Sequence, residues 1–431
     1  MRLITTFLLI FVLINAFGQT KKNNLSYKLD EYFSALTSLK NFNGNVIISQ
    51  HGRILLDKTY NIAGETDSLK VTADSKFIIA SVSKVFIKFS ILKLVEMKKI
   101  QLTDKLNKFI PDFPNGEKIT IEQLMHHQSG LPRELTNNDS YDSLSLSKIV
   151  ELAKSEKLLF EPGTQTLYSN VGYFLLHYII DKTSSNGYLT FVQNEIFKKM
   201  KLSNTFEFNS TRLIPKFAYG FDKENGKAIP VPKKYINQSE TGNYLSTISD
   251  LYSFSQQMLS GKVLKKSLAL KMFGPDSTLV QAGGRPGYRA YFYKNLKTDV
   301  TFIFVSNYTD IPIQEMTTDI ISILDNKPYE VPHKINRVAI QLPIETLRKY
   351  TGKFALEADL TQTLTIALMG DKLFNVDTNG EKTALHPDSE TTFFENPDTK
   401  DGYVFTYNKL SDKFDLTIIQ TGLILKTRRI E

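Results

Sequence analysis

Apolar positions along the chain change their spacing several times, and each change marks an element. Residues 26–39 repeat apolar side chains at helical intervals. The stretch NVIISQHGRILLDKTYNIA (45–63) then holds two apolar runs on either side of His51-Gly52, which predicts a β-hairpin. In FIIASVSKVF (77–86) a helix starts near Ser81 and runs to about Met97, with positions 82, 85, 86, 89 and 92 on its buried face. Residues 119–200 read as mainly helical, including GYFLLHYIIDKTS and YLTFVQNEIFKKM. After a loop-rich stretch, GNYLSTISDLYSFSQQMLSG offers helix starts at Ser246, Thr247 and Ser249. Strand spacing returns in STLVQAGG, GYRAYFYKN and DVTFIFVSN. Strands that open and close a segment with helices between them predict one α/β (α+β) sandwich: an antiparallel sheet joined from both ends, flanked by helices, with an all-helical region.

Beyond this the pattern shifts. Residues 326–343, with Pro328, Pro332 and Pro343, read as a linker. Residues 344–431 alternate short strands with turns such as Gly370-Asp371 and Ser411-Asp412, predicting a small all-β sheet or barrel, which resembles a lipocalin-like domain. At the other end, MRLITTFLLIFVLINAFGQT places one basic residue before an apolar run too short to span a bilayer. Ala16 and Gly18 follow at the −3 and −1 positions of a cleavage site. Residues 1–18 are therefore expected to be a signal peptide, leaving 19–325 as the main domain of an exported, periplasmic or secreted protein with no integral membrane segment after cleavage.

Composition narrows the chemistry. The formal charge of +8 comes from lysines spread along the whole chain, without the stripe or arm of a nucleic-acid binder. There is no cysteine, which excludes disulfides, thiolate metal sites, a cysteine nucleophile and a lipid-modified N-terminal cysteine. His126 and His127 are adjacent and point differently on any regular element, and no H-E-x-x-H spacing occurs, so no metal or other cofactor is expected. His177, in an apolar helix, reads as a core residue, and Asn307 as a strand-end turn residue.

An S-x-x-K spacing occurs three times, at Ser81/Lys84, Ser90/Lys93 and Ser145/Lys148. Only Ser81 stands at a helix start, where free N–H groups and the dipole favour an oxyanion, with Lys84 on the same face. An N-cap serine beside a lysine that reaches water would leave the same trace. Y-x-N also occurs three times, at Tyr168-Ser169-Asn170, Tyr235-Ile236-Asn237 and Tyr293-Lys294-Asn295. Only the first follows EPGTQTL and opens an apolar helix. The paired glycines of QAGGRPGY suggest either close backbone approach to a ligand or a bulge.

Taken in order, IASVSKVF, ITIEQLMHHQSGLP, EPGTQTLYSNVGYFLLHYII, GNYLSTISDL, QAGGRPGY and FIFVSN resemble the β-lactamase-related serine hydrolases over residues 30–325. That group includes class C β-lactamases, D-stereospecific peptidases and esterases. The resemblance implies Ser81 as nucleophile, and Lys84 as a neutral base or a cation that supports Tyr168. It implies Tyr168 as the proton relay that later activates the deacylating water, and Asn170 as a group orienting the substrate amide. The backbone N–H groups of Ser81 and Gly284 would form the oxyanion hole, such donors being worth about 3 kcal/mol each.

The third motif departs from the family. Relatives place Lys-Thr-Gly or His-x-Gly where this chain has Gln281-Ala282-Gly283. Glutamine brings no charge, and Ala282 lacks a hydroxyl that could meet a substrate carboxylate. Arg285 or Arg289 is the candidate replacement cation. The sequence thus points to an exported hydrolase of a small or peptide substrate, of cell-wall or other origin, carrying an amide, ester or β-lactam. The alternative is a catalytically impaired protein that binds or senses cell-wall fragments in the same pocket.

Overall fold

The protein is described by a computed structural model covering residues 24–136, 144–208, 213–224, 226–232, 244–357, 359–420 and 423–431. The expected signal segment lies outside the described residues. Among the described residues no helix is long and apolar enough to cross a membrane. They form two compact units, one of residues 42–310 and the other of 24–41 with 311–431. The unit containing both ends of the described chain begins with helix α1 (Leu25–Ser38), capped by the Asn24 side chain accepting from the Ser26 amide.

The 42–310 unit is built on a five-stranded antiparallel sheet of order β2-β1-β10-β9-β8. Its strands are β1 (Gly44–Gln50), β2 (Arg53–Tyr60), β8 (Thr278–Arg285), β9 (Tyr288–Asn295) and β10 (Val300–Ser306). The expected hairpin at His51-Gly52 is present. Both residues take left-handed φ (51° and 71°), the paired conformation that matches a two-residue turn to strand twist. The first and last strands meet at the sheet's centre, Gly44 opposite Ser306 and Gln50 opposite Val300, as the strand-helix-strand order predicts. Two minor sheets complete the strands: β3 (Phe77–Ile78), β7 (Tyr244–Ser246) and β4 (Phe206–Glu207) in the order β3-β7-β4, and the pair β5 (Phe221–Glu224) with β6 (Lys227–Pro230).

Helix α2 (Lys84–Glu96) runs through the core of this unit. Nearly every side chain from Val82 to Leu94 is buried, beyond the single face that the spacing suggested, because a helix apolar all round belongs inside a domain. Phe86 is fully buried and its ring meets Phe197, Phe254 and Tyr244 edge-on at centroid distances of 5.1, 4.9 and 5.8 Å. Around it lie α3 (Ile121–Met125), α4 (Leu146–Ala153), α5 (Asn170–Thr183) and α6 (Gly187–Val192), with α7 (Ile248–Gln257) and the short α8 (Lys266–Ala269) following. Side-chain caps set the starts that matter for the site. Thr120 and Gln123 form a reciprocal capping box on α3, Ser169 caps α5, and Thr247 caps α7.

The other unit adds α9 (Ile313–Leu324), whose Asp319 accepts from the Tyr32 hydroxyl of α1 at 2.8 Å. After the proline-rich stretch and α10 (Ile344–Arg348) comes a closed eight-stranded barrel. Its strands are β11 (Gly352–Leu356), β12 (Asp359–Met369), β13 (Lys372–Val376), β14 (Lys382–Pro387), β15 (Thr392–Phe394), β16 (Gly402–Asn408), β17 (Lys413–Gln420) and β18 (Leu423–Arg429). Pairing of β11 with β18 closes it, so the all-β expectation resolves to a barrel that leaves no sheet edge. Phe86→Ala is expected to cost the 42–310 unit about 3–5 kcal/mol. Urea denaturation followed by tyrosine fluorescence checks this, and a loss under about 1 kcal/mol would contradict the packing described.

Candidate active site

Strand β3 leads to the centre of the site. It pairs with β7 through Phe77–Ser246 and Ile78–Leu245, and the Ile79 amide donates to the Tyr244 carbonyl at 3.0 Å. Ala80 then takes a left-handed φ of 45°, a conformation that costs a non-glycine residue about 1–2 kcal/mol. A 3-10 turn over Ala80–Ser83 follows, and α2 begins at Lys84. Ser81 therefore sits, half-buried, in a tight turn three residues before the helix begins. Lys84, first residue of the helix, is buried, and its Nζ lies 3.0 Å from Ser81 Oγ.

Burial is the main influence on Lys84 and pushes its ammonium below the usual lysine value. The Tyr168 hydroxyl, within hydrogen-bonding reach, and the Glu134 carboxylate act the other way, while Arg133 adds to the lowering. The positive end of the helix dipole also disfavours charge at this position. Nζ stands 5.2 and 5.4 Å from the ring centroids of Tyr168 and Tyr173, and Tyr173 is fixed by its hydroxyl donating to the Met125 carbonyl at 3.0 Å.

Tyr168 is held by a residue to which the sequence assigned no role here. The His127 ring stacks on Tyr168 at 4.5 Å, its Nδ1 accepts from the Ser169 amide at 3.1 Å, and its carbonyl accepts from the Leu167 amide. His127 itself has a left-handed φ of 59°. Burial, then the charges of Lys88 and Lys84, press its imidazole down to about 3, so it stays neutral and accepting at Nδ1. The Ser169 hydroxyl caps α5 through the Gly172 amide while donating to the Pro132 carbonyl. Segment 167–170 is thus tied to segment 127–133 by backbone and side chain alike. In the sequence this segment stood out only as part of ITIEQLMHHQSGLP, one of the ordered stretches that carry the resemblance.

Asn170 opens α5 beside them, and its Nδ2 donates to Glu134 Oε1 at 2.6 Å. That bond uses one of the two N–H groups of the amide and leaves the other for a substrate, with Glu134 a partner the sequence did not point to. Exposed Arg133 adds its guanidinium 5.0 Å from the Tyr168 ring centroid.

Strand β8 forms the opposite wall, and as the edge strand it carries backbone groups unpaired by a neighbouring strand. Leu279, Gln281 and Gly283 face inward, and Val280, Ala282 and Gly284 outward. A Cβ on Gly283 would lie 2.3 Å from the Ile79 carbonyl oxygen and 3.2 Å from the Ser81 nitrogen. Gly283 therefore marks a close approach of the strand to the 79–82 backbone, whereas a Cβ on Gly284 would meet only the Arg289 side chain, at 3.4 Å. Gln281 is buried, with Nε2 donating to the Ala282 carbonyl at 3.0 Å. Arg285 ends the strand opposite Tyr288. Arg289 is opposite Gly284, on the outward face, and its Nη1 donates to the carbonyls of Arg285 and Tyr288. It therefore brings no charge beside Gln281, a correction to its candidacy.

The other motif copies have structural uses. The Ser90 hydroxyl donates to the Phe86 carbonyl within α2, and Lys93 pairs with Glu96. Ser145 caps α4. Tyr293-Lys294-Asn295 lies along β9, and Tyr235-Ile236-Asn237 is outside the described residues. His177 is a core residue packed on Tyr188, and Asn307 is fully buried, donating to the carbonyls of Leu69 and Tyr219. Among the described residues no group of three acidic or histidine side chains could hold a metal ion.

The profile of the Beta-lactamase family matches residues 39–322, well over half of the chain. The chain belongs to the β-lactamase family. That membership supports a hydrolase. It is 27% identical over 420 residues to penicillin-binding protein 4* of Bacillus subtilis (strain 168), covering 86% of this chain and 92% of the relative. Two solved structures share the fold. The octameric penicillin-binding protein homologue of Pyrococcus abyssi has a TM-score of 0.63 and 17% identity, over 93% of this chain and 99% of that one. The D-amino acid amidase of Ochrobactrum anthropi SV3 has a TM-score of 0.57 and 20% identity, over 71% and 99%.

Folded His127 and His177 both protonate only near pH 3, whereas an unfolded imidazole protonates near 6.5. The unfolded chain thus takes up these protons first, and stability is expected to fall as pH drops from about 6.5 towards 3. His177→Leu, remote from Ser81, should make that fall shallower. Urea midpoints between about pH 7 and pH 4 measure the slope.

Proposed function

We propose that the protein is an exported serine hydrolase that forms an acyl-enzyme at Ser81 on an amide or ester. The observation that carries this reading is the buried Lys84 Nζ 3.0 Å from Ser81 Oγ, with the Tyr168 hydroxyl in reach of the same amine. Ser81 attacks the acyl carbon while Lys84 and Tyr168 take its proton and pass it to the leaving group. The same pair then activates the water that releases the acid. The oxyanion develops against the backbone amides of Ser81 and Gly284, where the edge of β8 meets the 80–83 turn. Gln281 and Gly283 line that wall, Asn170 orients the substrate amide while Glu134 holds its other N–H, and Arg285 ends the strand.

Substrates of the D-amino-acid amide or peptide type suit this reading best, in keeping with the amidase and penicillin-binding relatives. The uncharged Gln281 argues for slow turnover of β-lactams. It also gives substance to a second reading, in which the cleft binds cell-wall fragments without turning them over. The apolar stretch of residues 1–18, read as a signal peptide, supports a working protein outside the cytoplasm, with an N-terminus expected at Gln19 by sequencing of exported material.

Intact mass after a fluorophosphonate and, separately, a penicillin tests the proposal. One adduct per chain is expected, absent in Ser81→Ala and slowed about 10²- to 10⁴-fold in Lys84→Ala. No adduct with either reagent in folded protein would favour the binding reading. In that case Gln281→Lys is the variant expected to restore labelling.

A further inference from the structure

The C-terminal barrel is filled at one end only. Its inward-facing positions run from apolar to polar along one strand after another. On the paired strands β13 and β14, Leu373 is opposite Leu385 and Asn375 opposite Thr383, and the turn beyond carries Asp377 and Glu381. On β16 and β17, Phe405 is opposite Leu416 and Tyr403 opposite Ile418. At the apolar end the barrel is closed by Tyr350, which follows α10. Its ring stacks on Phe405 at 4.6 Å and meets Phe393 and Phe414 edge-on.

At the other end is a cavity of about 770 Å³. Eight-stranded barrels are wide enough either to be filled by side chains or to hold one small molecule, and this one divides its length between the two. The lining includes four carboxylates, those of Asp377, Glu381, Glu395 and Asp401, and no lysine or arginine among the described residues. That is a local reversal of charge in a chain carrying +8 overall. A built network holds the cavity wall. Asn375 Nδ2 donates to the Tyr403 hydroxyl at 2.9 Å, which in turn donates to Glu395 Oε1. Asn375 Oδ1 is left buried without a hydrogen-bond partner. Leu364, Ile418 and Leu425 supply apolar wall beside these groups. The carboxylates do not converge as a metal site would.

We propose that the open half of the barrel binds a small organic amine in its protonated form. The charged nitrogen meets the rim carboxylates, and an apolar body of roughly ring size lies against the leucine and isoleucine wall. The charged side chains of the lining are all carboxylates, beside amides and hydroxyls that can serve either way, so the ligand that complements them carries a positive charge. The inference is independent of the chemistry proposed for Ser81.

The test is calorimetric titration of the purified chain, at low ionic strength, with benzylammonium and its isosteres benzyl alcohol and benzoate. Benzylammonium is expected to bind at least about tenfold more tightly than either isostere. The double variant Glu381→Gln/Glu395→Gln should weaken it by a further factor of about ten, while Ser81→Ala leaves it unchanged. Thr383→Trp, which fills the cavity from the middle of the wall, should abolish it in protein with an unaltered circular dichroism spectrum. Equal binding of the three isosteres, binding that survives Thr383→Trp, binding lost in Ser81→Ala, or no binding of benzylammonium up to about 10 mM would each overturn the proposal.

Discussion

The site depends on one contact that contains no side chain. The edge of the main sheet can lie against the turn holding Ser81 only because Gly283 presents nothing where a Cβ would strike the Ile79 carbonyl. That approach brings unpaired strand amides and the amides of a turn to the same small volume. The rest of the cleft is arranged around it. Ala80 accepts a left-handed conformation to complete the turn, and α2 starts with a lysine where a helix would sooner carry an acid. These are local departures from what backbone and helix prefer, and they lie within four residues of each other.

Those departures are held by a well-packed surround. Helix α2 is buried on all sides, with Phe86 gripped by three aromatic rings, so the turn before it has little freedom to relax. On the far wall, neutral His127 fixes the segment carrying Tyr168 by ring stacking and by accepting a backbone amide. An imidazolium could not accept that hydrogen bond through Nδ1 and would put a buried positive charge close to Lys84 and Lys88. The depressed basicity of His127 is thus part of how the cleft is assembled.

The fold was largely legible in the sequence because its elements have clean periodicities. The hairpin at His51-Gly52, the strands of residues 277–307 and the capped helix after Thr247 all stand where the pattern put them. Motif order picked Ser81/Lys84 out of three equal spacings, and the structure gives Ser90 and Ser145 ordinary helix duties. What escaped were contacts between segments distant in sequence. His127 under Tyr168, and Glu134 on the amide of Asn170, join residues about forty positions apart, and neither changes any local pattern. The face occupied by Arg289 follows from strand register, which a sequence shows only once the pairing partner is known.

The pairing of β1 with β10 carries a consequence for how the chain comes into being. The central ladder joins Gly44 to Ser306, so the sheet cannot close until almost the entire unit has left the ribosome or emerged from a membrane pore. Contacts this remote in sequence form slowly, since a long loop must close before any of them is rewarded. The nascent polypeptide therefore stays open through most of its synthesis. Such a chain can be threaded across a bilayer before it folds, and with no cysteine it needs no oxidant on the other side to finish.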